Sequence, residues 1–154
     1  MTIEDDIAFF ERVPMLSGLG RAALRILAIG AESQYVHGDE ALFYAGDAAD
    51  CGYVIQEGSF NLKADDPDNR NGVTVGPGTL LGELALLVPV ERPATATALE
   101  PSTVIRIPRN LFLKMLEGYP DAAQKLRDGM SGRVDEWTRE LLKVKTALDA
   151  AGTR

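Results

Sequence analysis

A chain of 154 residues with 45% hydrophobic and 25% charged residues has the length and composition of one soluble globular domain with its own core. The net charge of −7 and the lack of a basic patch or arm exclude nucleic acid as the expected partner. No segment approaches the ~20 apolar residues of a membrane span, and the acidic N-terminus lacks a signal-peptide pattern. The single cysteine excludes an internal disulfide, so we expect a cytoplasmic protein.

The N-terminal part of the chain, residues 3–33, is predicted to be helical. One helix is expected over residues 3–12 and a second over 19–32, because apolar residues recur there at helical spacing. Ser17 and Gly18 are expected to cap the second helix.

Residues 34–107 have a different pattern, in which short apolar alternations are separated by clusters of Gly, Asp, Asn and Pro. Repeated short strands of this kind predict a sandwich, roll or barrel. The acidic loop 65–71 is interpreted as a solvated hairpin connection, because it lacks the closing Glu of a calcium loop. Cys51 precedes the apolar strand Tyr53–Ile55, which favours buried packing over a reactive thiol.

Helices are predicted again over residues 109–149, first a short one over 109–117 and then a long one from Pro120 to about Asp149. At 1.5 Å per residue the long helix would measure roughly 45 Å, more than the width of a small roll. Its apolar residues are spaced alternately four and three apart, as in a coiled-coil seam: Met130, Val134, Trp137, Leu141, Val144 and Leu148. We therefore expect a homodimer through this helix, and the alternative is packing of the seam against the domain's own roll.

The most informative segment joins Gly82-Glu83-Leu84-Ala85 to Arg92-Pro93-Ala94-Thr95. Glu83 can accept a hydrogen bond from a sugar hydroxyl, and Arg92 can make a bidentate contact with two phosphate oxygens. Gly82 suits a tight corner, and the short helix expected after it offers backbone N–H groups to an anion. The alternative is that Glu83 and Arg92 form a plain ion pair in a corner of the roll.

Residues 82–95 resemble the phosphate-binding cassette of the cyclic nucleotide-binding domain family, which includes catabolite activator-type regulators, protein kinase A regulatory subunits and cyclic nucleotide-gated channels. The resemblance covers nearly the whole chain through an ordered series of motifs: Gly38-Asp39, Gly46-Asp47, Gly58, Gly76-Pro77-Gly78, Ile107-Pro108 and Tyr119-Pro120. It implies one domain over residues 1–154, of α+β class and mainly β, in which helices flank a β-roll.

The resemblance also implies a ligand, cAMP or cGMP, and no other cofactor or metal. The implied ligand-binding residues are Gly82, Glu83, Leu84, Ala85, Arg92, Pro93, Ala94, Thr95, Trp137 and Thr138. Trp137 could stack on the purine or belong to the dimer seam, Thr138 could contact the base edge or face solvent, and Thr95 could fill its strand or donate to the phosphate.

Pro93 departs from the family pattern, in which Ala or Ser usually follows the arginine. A proline has no backbone N–H, so one donor to the phosphate is missing. Glu91 stands where a proline is common and adds a carboxylate beside the expected anion. Both changes favour an alternative in which the fold is degenerate, holds no nucleotide and serves as a protein-interaction or dimerisation module.

The sequence offers no enzymatic constellation. His37 is the only histidine, whereas metal-dependent rolls of the isomerase or dioxygenase kind assemble several, and no nucleophile motif flanks it. Five residues follow the long helix, without a helix-turn-helix, kinase or channel segment, so we expect a stand-alone sensor. In such a module ligand occupancy would reposition the C-terminal helices and change association with a downstream protein that the sequence does not identify.

Overall fold

The computed structural model of the protein describes residues 2–64 and 72–128. The helices in these ranges are α1 (Ile3–Phe10), α2 (Arg21–Gly30) and α3 (Arg109–Gly118), and residues 120–128 are helical as well. The strands are β1 (Glu32–Val36), β2 (Ala41–Phe43), β3 (Ala48–Ala49), β4 (Cys51–Glu57), β5 (Phe60–Ala64), β6 (Val73–Val75), β7 (Leu80–Leu81), β8 (Val90–Glu91), β9 (Ala94–Ala98) and β10 (Ser102–Pro108).

The strands form two antiparallel four-stranded sheets and one short ladder. The first sheet has the order β1-β10-β4-β7, the second has the order β2-β9-β5-β6, and β3 pairs with β8. The chain leaves the first sheet at β7 and enters the second at β9, so the predicted cassette is the connection between the two sheets. The predicted α+β, mainly β roll with helices at both ends is confirmed.

Two hydrophobic cores lie on opposite faces of the first sheet. Val54 and Ile105 belong to the core shared with the helices, whereas their chain neighbours Ile55 and Val104 belong to the core enclosed by the strands. Successive side chains of a strand point to opposite faces, so one apolar run can serve both cores. This double burial explains why β4 and β10 each contain adjacent buried hydrophobic residues, Val54-Ile55 and Val104-Ile105.

The second helix differs from the prediction at both ends. The cap at Ser17 and Gly18 is wrong, because the Ser17 hydroxyl donates to the carbonyl of Pro14 at 3.1 Å. Gly20 is the N-cap instead, with no side-chain cap and a φ of +89°, a conformation that favours glycine. The helix ends at Gly30, and Glu32 already pairs with Arg106 in the first sheet, so the expected extension to residue 32 is also wrong.

The C-terminal helices follow the prediction as far as the structure describes them. Helix α3 agrees with the expected 109–117 to within one residue, and the helix that follows it is present over residues 120–128. The seam and Trp137 and Thr138 lie outside the described residues, as does the acidic loop 65–71. Within residues 2–64 and 72–128 no helix combines the length and the apolar character needed to cross a bilayer.

Candidate functional site

Arg92 lies where the chain passes from the β3–β8 ladder into the second sheet. Its backbone N–H donates to the carbonyl of Asp47 at 2.8 Å, and its carbonyl accepts from the N–H of Gly46 at 2.8 Å. Two bonds to the connection between β2 and β3 therefore fix the backbone of Arg92. The side chain is buried inside the roll, with an exposed fraction of 5%.

The guanidinium of Arg92 lies beside a stacked pair of aromatic rings. Its central carbon is 4.4 Å from the ring centroid of Phe43 and 5.4 Å from that of Tyr53. The two rings are stacked, with centroids 6.0 Å apart and an angle of 25° between their planes. The faces of aromatic rings attract a cation, so β2 and β4 supply part of the stabilisation that water would otherwise give.

Cys51 supplies the hydrogen-bond acceptors for one side of the guanidinium. Nη2 of Arg92 donates to the Cys51 carbonyl at 2.8 Å and lies 3.3 Å from its sulfur. The thiol is buried, as predicted, and it is not in a disulfide. The prediction of plain packing missed its polar contact, because nothing in the sequence places residue 51 beside residue 92.

The other side of the guanidinium has a buried donor without an acceptor. Nη1 of Arg92 is buried and has no hydrogen-bond partner among residues 2–64 and 72–128. Leaving a buried cationic donor unmatched is costly. An anion placed against Nη1 would supply the missing acceptor.

Gly82 forms the surface against which this unmatched nitrogen lies. Its φ is +86°, in the left-handed region, and a Cβ added there would clash with Nη1 of Arg92 and lie 3.2 Å from the carbonyl oxygen of Cys51. The glycine is therefore required twice, once by the backbone turn and once by the approach of the guanidinium. The structure thus brings together Gly82 and Arg92, as the sequence predicted.

The segment after Gly82 forms the expected short helix, a 3₁₀ turn over Leu84–Leu86. Glu83, which is half-buried, precedes it with helical backbone angles, φ −53° and ψ −47°. The carbonyl of Leu84 accepts from the N–H groups of Leu87 and Val88, both at 3.0 Å. Ala85 is buried against Gly82, and Leu86 extends into the core shared with the helices. The turn is therefore held between the anchored arginine and the helices.

The residues after Arg92 differ in what they offer a ligand. Pro93 is exposed and contributes no N–H, whereas Ala94 pairs with Ala64 in the second sheet. The Thr95 hydroxyl oxygen accepts from the N–H of Ala45 at 2.9 Å. Its proton is thereby left to donate elsewhere, so the two interpretations of Thr95 are compatible: it is a strand residue whose hydroxyl can still act as a donor.

Three site residues were not predicted from the sequence: Phe43, Cys51 and Tyr53. Burial raises the pKa of Tyr53 to about 12, a hydrogen bond with the Cys51 thiol adds to the shift, and the positive charges of Arg92 and Arg106 partly oppose it. Tyr53 is therefore a neutral phenol at physiological pH and presents a hydroxyl to Cys51. The apolar alternation of β2 and β4 predicted inward-facing side chains, but it carried no signal that they face a cation.

The described residues hold no cluster of three or more His, Cys, Asp or Glu that could bind a metal ion. His37 is exposed in the turn after β1, where its ring meets that of Tyr35 edge to face at a centroid distance of 4.7 Å. The candidate site in the described residues is an arginine with aromatic and backbone neighbours.

Comparisons with known proteins identify relatives of this fold. The family model for the cyclic nucleotide-binding domain matches residues 33–119, which contain the roll and the cassette. The chain is 37% identical to a cyclic nucleotide-binding-like protein from Brucella abortus, with a TM-score of 0.65, over 73% of this chain and 98% of that chain. It is 25% identical to the regulatory domain of Toxoplasma gondii PKA, solved with cAMP, with a TM-score of 0.69, over 79% of this chain and 46% of that chain.

A further similarity is to a much longer protein. The chain is 30% identical over 135 residues to an uncharacterized NTE family protein of Mycobacterium tuberculosis, an alignment that covers 88% of this chain. The chain spans about a fifth, 22%, of the length of that relative. The similarity therefore concerns one part of the longer protein.

Proposed function

The chain belongs to the cyclic nucleotide-binding domain family, and we propose that it is a sensor module whose cassette binds a cyclic nucleotide, cAMP or cGMP. The observation that carries the proposal is the buried, unmatched Nη1 of Arg92 beside Gly82. No catalytic step is proposed. We place the protein in the cytoplasm, where its free cysteine would stay reduced.

A cyclic phosphate suits this arrangement chemically. It carries a single negative charge, and it would give Nη1 of Arg92 an acceptor in a region from which water is largely excluded. The Thr95 hydroxyl still has a proton to donate to a phosphate oxygen, and Glu83 could accept from the ribose hydroxyl. The similarity to a PKA regulatory domain solved with cAMP supports the same ligand class.

Calorimetric titration with cAMP, cGMP and AMP tests the proposal. We expect one of the two cyclic nucleotides to bind at one per chain and AMP to bind more weakly, because its phosphate monoester is larger and more highly charged. A thermal-shift series with the same three compounds gives an independent readout, since ligand binding to the folded state raises its stability. If neither cyclic nucleotide produces heat or a shift, the proposal is wrong.

The degenerate alternative, a module for protein association with an empty pocket, is favoured chiefly by Pro93. The proline lies directly after Arg92, is exposed, and cannot donate to an anion. Neighbouring charges point the same way, since Glu91 and Asp47 are both exposed on strands and turns that flank the arginine. Loss of one donor weakens a phosphate site without removing Arg92, so we retain nucleotide binding as the proposal.

Replacement of Pro93 with Ala is expected to tighten nucleotide binding. The new N–H would lie beside the anion, and a hydrogen bond to a charged group contributes about 1.5–3 kcal/mol at best. Titration of the variant and the wild type with the same nucleotide measures the difference. Pro101→Ala, the same substitution at an exposed proline outside the cassette, is the control. Equal or weaker binding by a folded Pro93→Ala variant would mean that the proline is compatible with the site.

We also propose that the protein is a homodimer paired through its last helix, as the seam spacing in the sequence suggests. Leu141→Glu is expected to give monomers, because it would place two like charges in an apolar seam whose side chains each contribute roughly 1.5–3 kcal/mol on burial. Sedimentation equilibrium measures the change, and Thr146→Glu adds the same charge outside the seam. Monomeric wild-type protein at tens of micromolar would contradict the proposal and favour the alternative, in which the seam packs against the domain's own roll.

A further inference from the structure

A second arginine holds the opposite side of the cassette. Arg109 is the first residue of α3, and its backbone N–H donates to the carbonyl of Asp50 at 2.8 Å. Its side chain leaves the helix toward the 3₁₀ turn of the cassette rather than toward solvent. The guanidinium thus lies where α3, the β3–β4 connection and the cassette meet.

One nitrogen of that guanidinium contacts three backbone carbonyls. Nη1 of Arg109 is 3.0 Å from the carbonyl oxygen of Ala49, 3.3 Å from that of Ala85 and 3.1 Å from that of Val88. Ala85 lies within the cassette turn and Val88 just after it, whereas Ala49 is in β3, which pairs with the far end of the cassette at Val90. A single charged donor therefore ties both flanks of the turn to the start of α3.

Arg109 contacts the turn through backbone carbonyl groups. Carbonyl groups at the end of a helical turn lack partners within it, and a cation is favourable there. The positive charge of Arg109 lies against these three carbonyl oxygens. Two residues of the same region also pack together, since Leu86 of the turn and Phe112 of α3 belong to one core.

We propose that Arg109 is a positioning residue for the cassette, which holds the turn against Gly82 and Arg92 and connects it to α3. The proposal rests on the proposed nucleotide site and adds a residue that does not touch the ligand. Because the three carbonyls belong to two segments, a change in the turn on ligand binding would alter the contacts of Arg109 and so the first turn of α3. Without this side chain, the turn would lose its contacts with a charged donor on α3.

Hydrogen exchange and calorimetry on Arg109→Met and Arg109→Lys test the inference. In Arg109→Met without ligand, we expect the amides of residues 84–88 to exchange about tenfold faster, since the bonds that hold the turn are lost. We expect the Kd for cAMP or cGMP to rise about tenfold as well. Arg109→Lys keeps the positive charge but not the guanidinium group. Its exchange rates and its Kd should lie between those of the wild type and of Arg109→Met. Lys114→Met, at an exposed position of the same helix, is the control for charge.

The coupling to α3 has its own readout. In the wild type, nucleotide should change the exchange of amides at the start of α3, and in Arg109→Met that change should disappear even at saturating nucleotide. The inference is overturned if exchange over residues 84–88 in Arg109→Met equals that of Lys114→Met, or if α3 responds to ligand as in the wild type. If the wild type binds no nucleotide, the proposed function fails, and the ligand-free exchange still decides whether Arg109 positions the turn.

Discussion

Arg92→Met is expected to remove most of the affinity for a cyclic nucleotide. Truncation of one partner of a buried charge pair costs about 2–4 kcal/mol of binding free energy, which is roughly 30-fold to 1,000-fold in Kd. Methionine keeps much of the apolar stem of the side chain and removes the guanidinium beside Phe43 and Tyr53, so the loss would come from the charge and its donors. Titration with cAMP and cGMP measures the effect.

The same substitution is expected to have little effect on the stability of the ligand-free protein. It removes a cation–π contact and the bonds to Cys51, but it also removes a buried donor that has no acceptor. These opposing terms are of similar size, so the free energy of unfolding should stay within about 1 kcal/mol of the wild type or rise.

Urea denaturation of the ligand-free protein measures that free energy. Arg25→Met, which removes the same charge from an exposed ion pair with Glu4, is the control. If a substitution abolishes ligand binding without lowering the free energy of unfolding, the native residue is needed for binding and not for folding. If Arg92→Met binds nucleotide like the wild type, the anion does not contact this arginine. If Arg92→Met is strongly destabilised and its folded fraction still binds nucleotide, Arg92 is a structural residue.

Gly82→Ala is expected to destabilise the protein and weaken binding together. The left-handed φ costs an alanine about 1–3 kcal/mol. The new Cβ would also clash with the guanidinium of Arg92 and displace it. We expect the free energy of unfolding to fall by about 2–4 kcal/mol in total. Urea denaturation gives the stability, and calorimetry gives the affinity of the folded fraction.

Substitutions at two other glycines distinguish the cost of backbone strain from the cost of the clash with Arg92. Gly78 has a φ of +90° with open space at its Cβ position, so Gly78→Ala adds only the backbone strain. Gly18 has open space and no positive φ, so Gly18→Ala should change stability by less than about 1 kcal/mol. If Gly82→Ala loses no more stability than Gly78→Ala and keeps its affinity, the guanidinium does not lie against residue 82 in solution.

The sequence predicted the architecture well because its local patterns and its fold agree. Short strands between Gly, Asp and Pro clusters became a roll, and the α3 boundary lies within one residue of the prediction. The exceptions are at helix ends: α1 ends at Phe10, two residues before the predicted end, and α2 differs at both ends. At the start of α2, Ser17 turned back to Pro14 and Gly20 took the left-handed conformation, a choice between neighbouring capping residues that local pattern cannot make.

For the site, the sequence determined the parts that lie close together along the chain: the glycine corner, the short helix after it, and an arginine followed by a proline. Only the tertiary structure decided what surrounds that arginine. Phe43, Cys51 and Tyr53 are brought to Arg92 by strand pairing across the roll, and Arg109 reaches the cassette from the start of α3. These neighbours are brought together by strand register and sheet order between segments that are far apart in the sequence. Register and sheet order determine which groups surround a buried charge, but they produce no periodic pattern that the sequence alone would reveal.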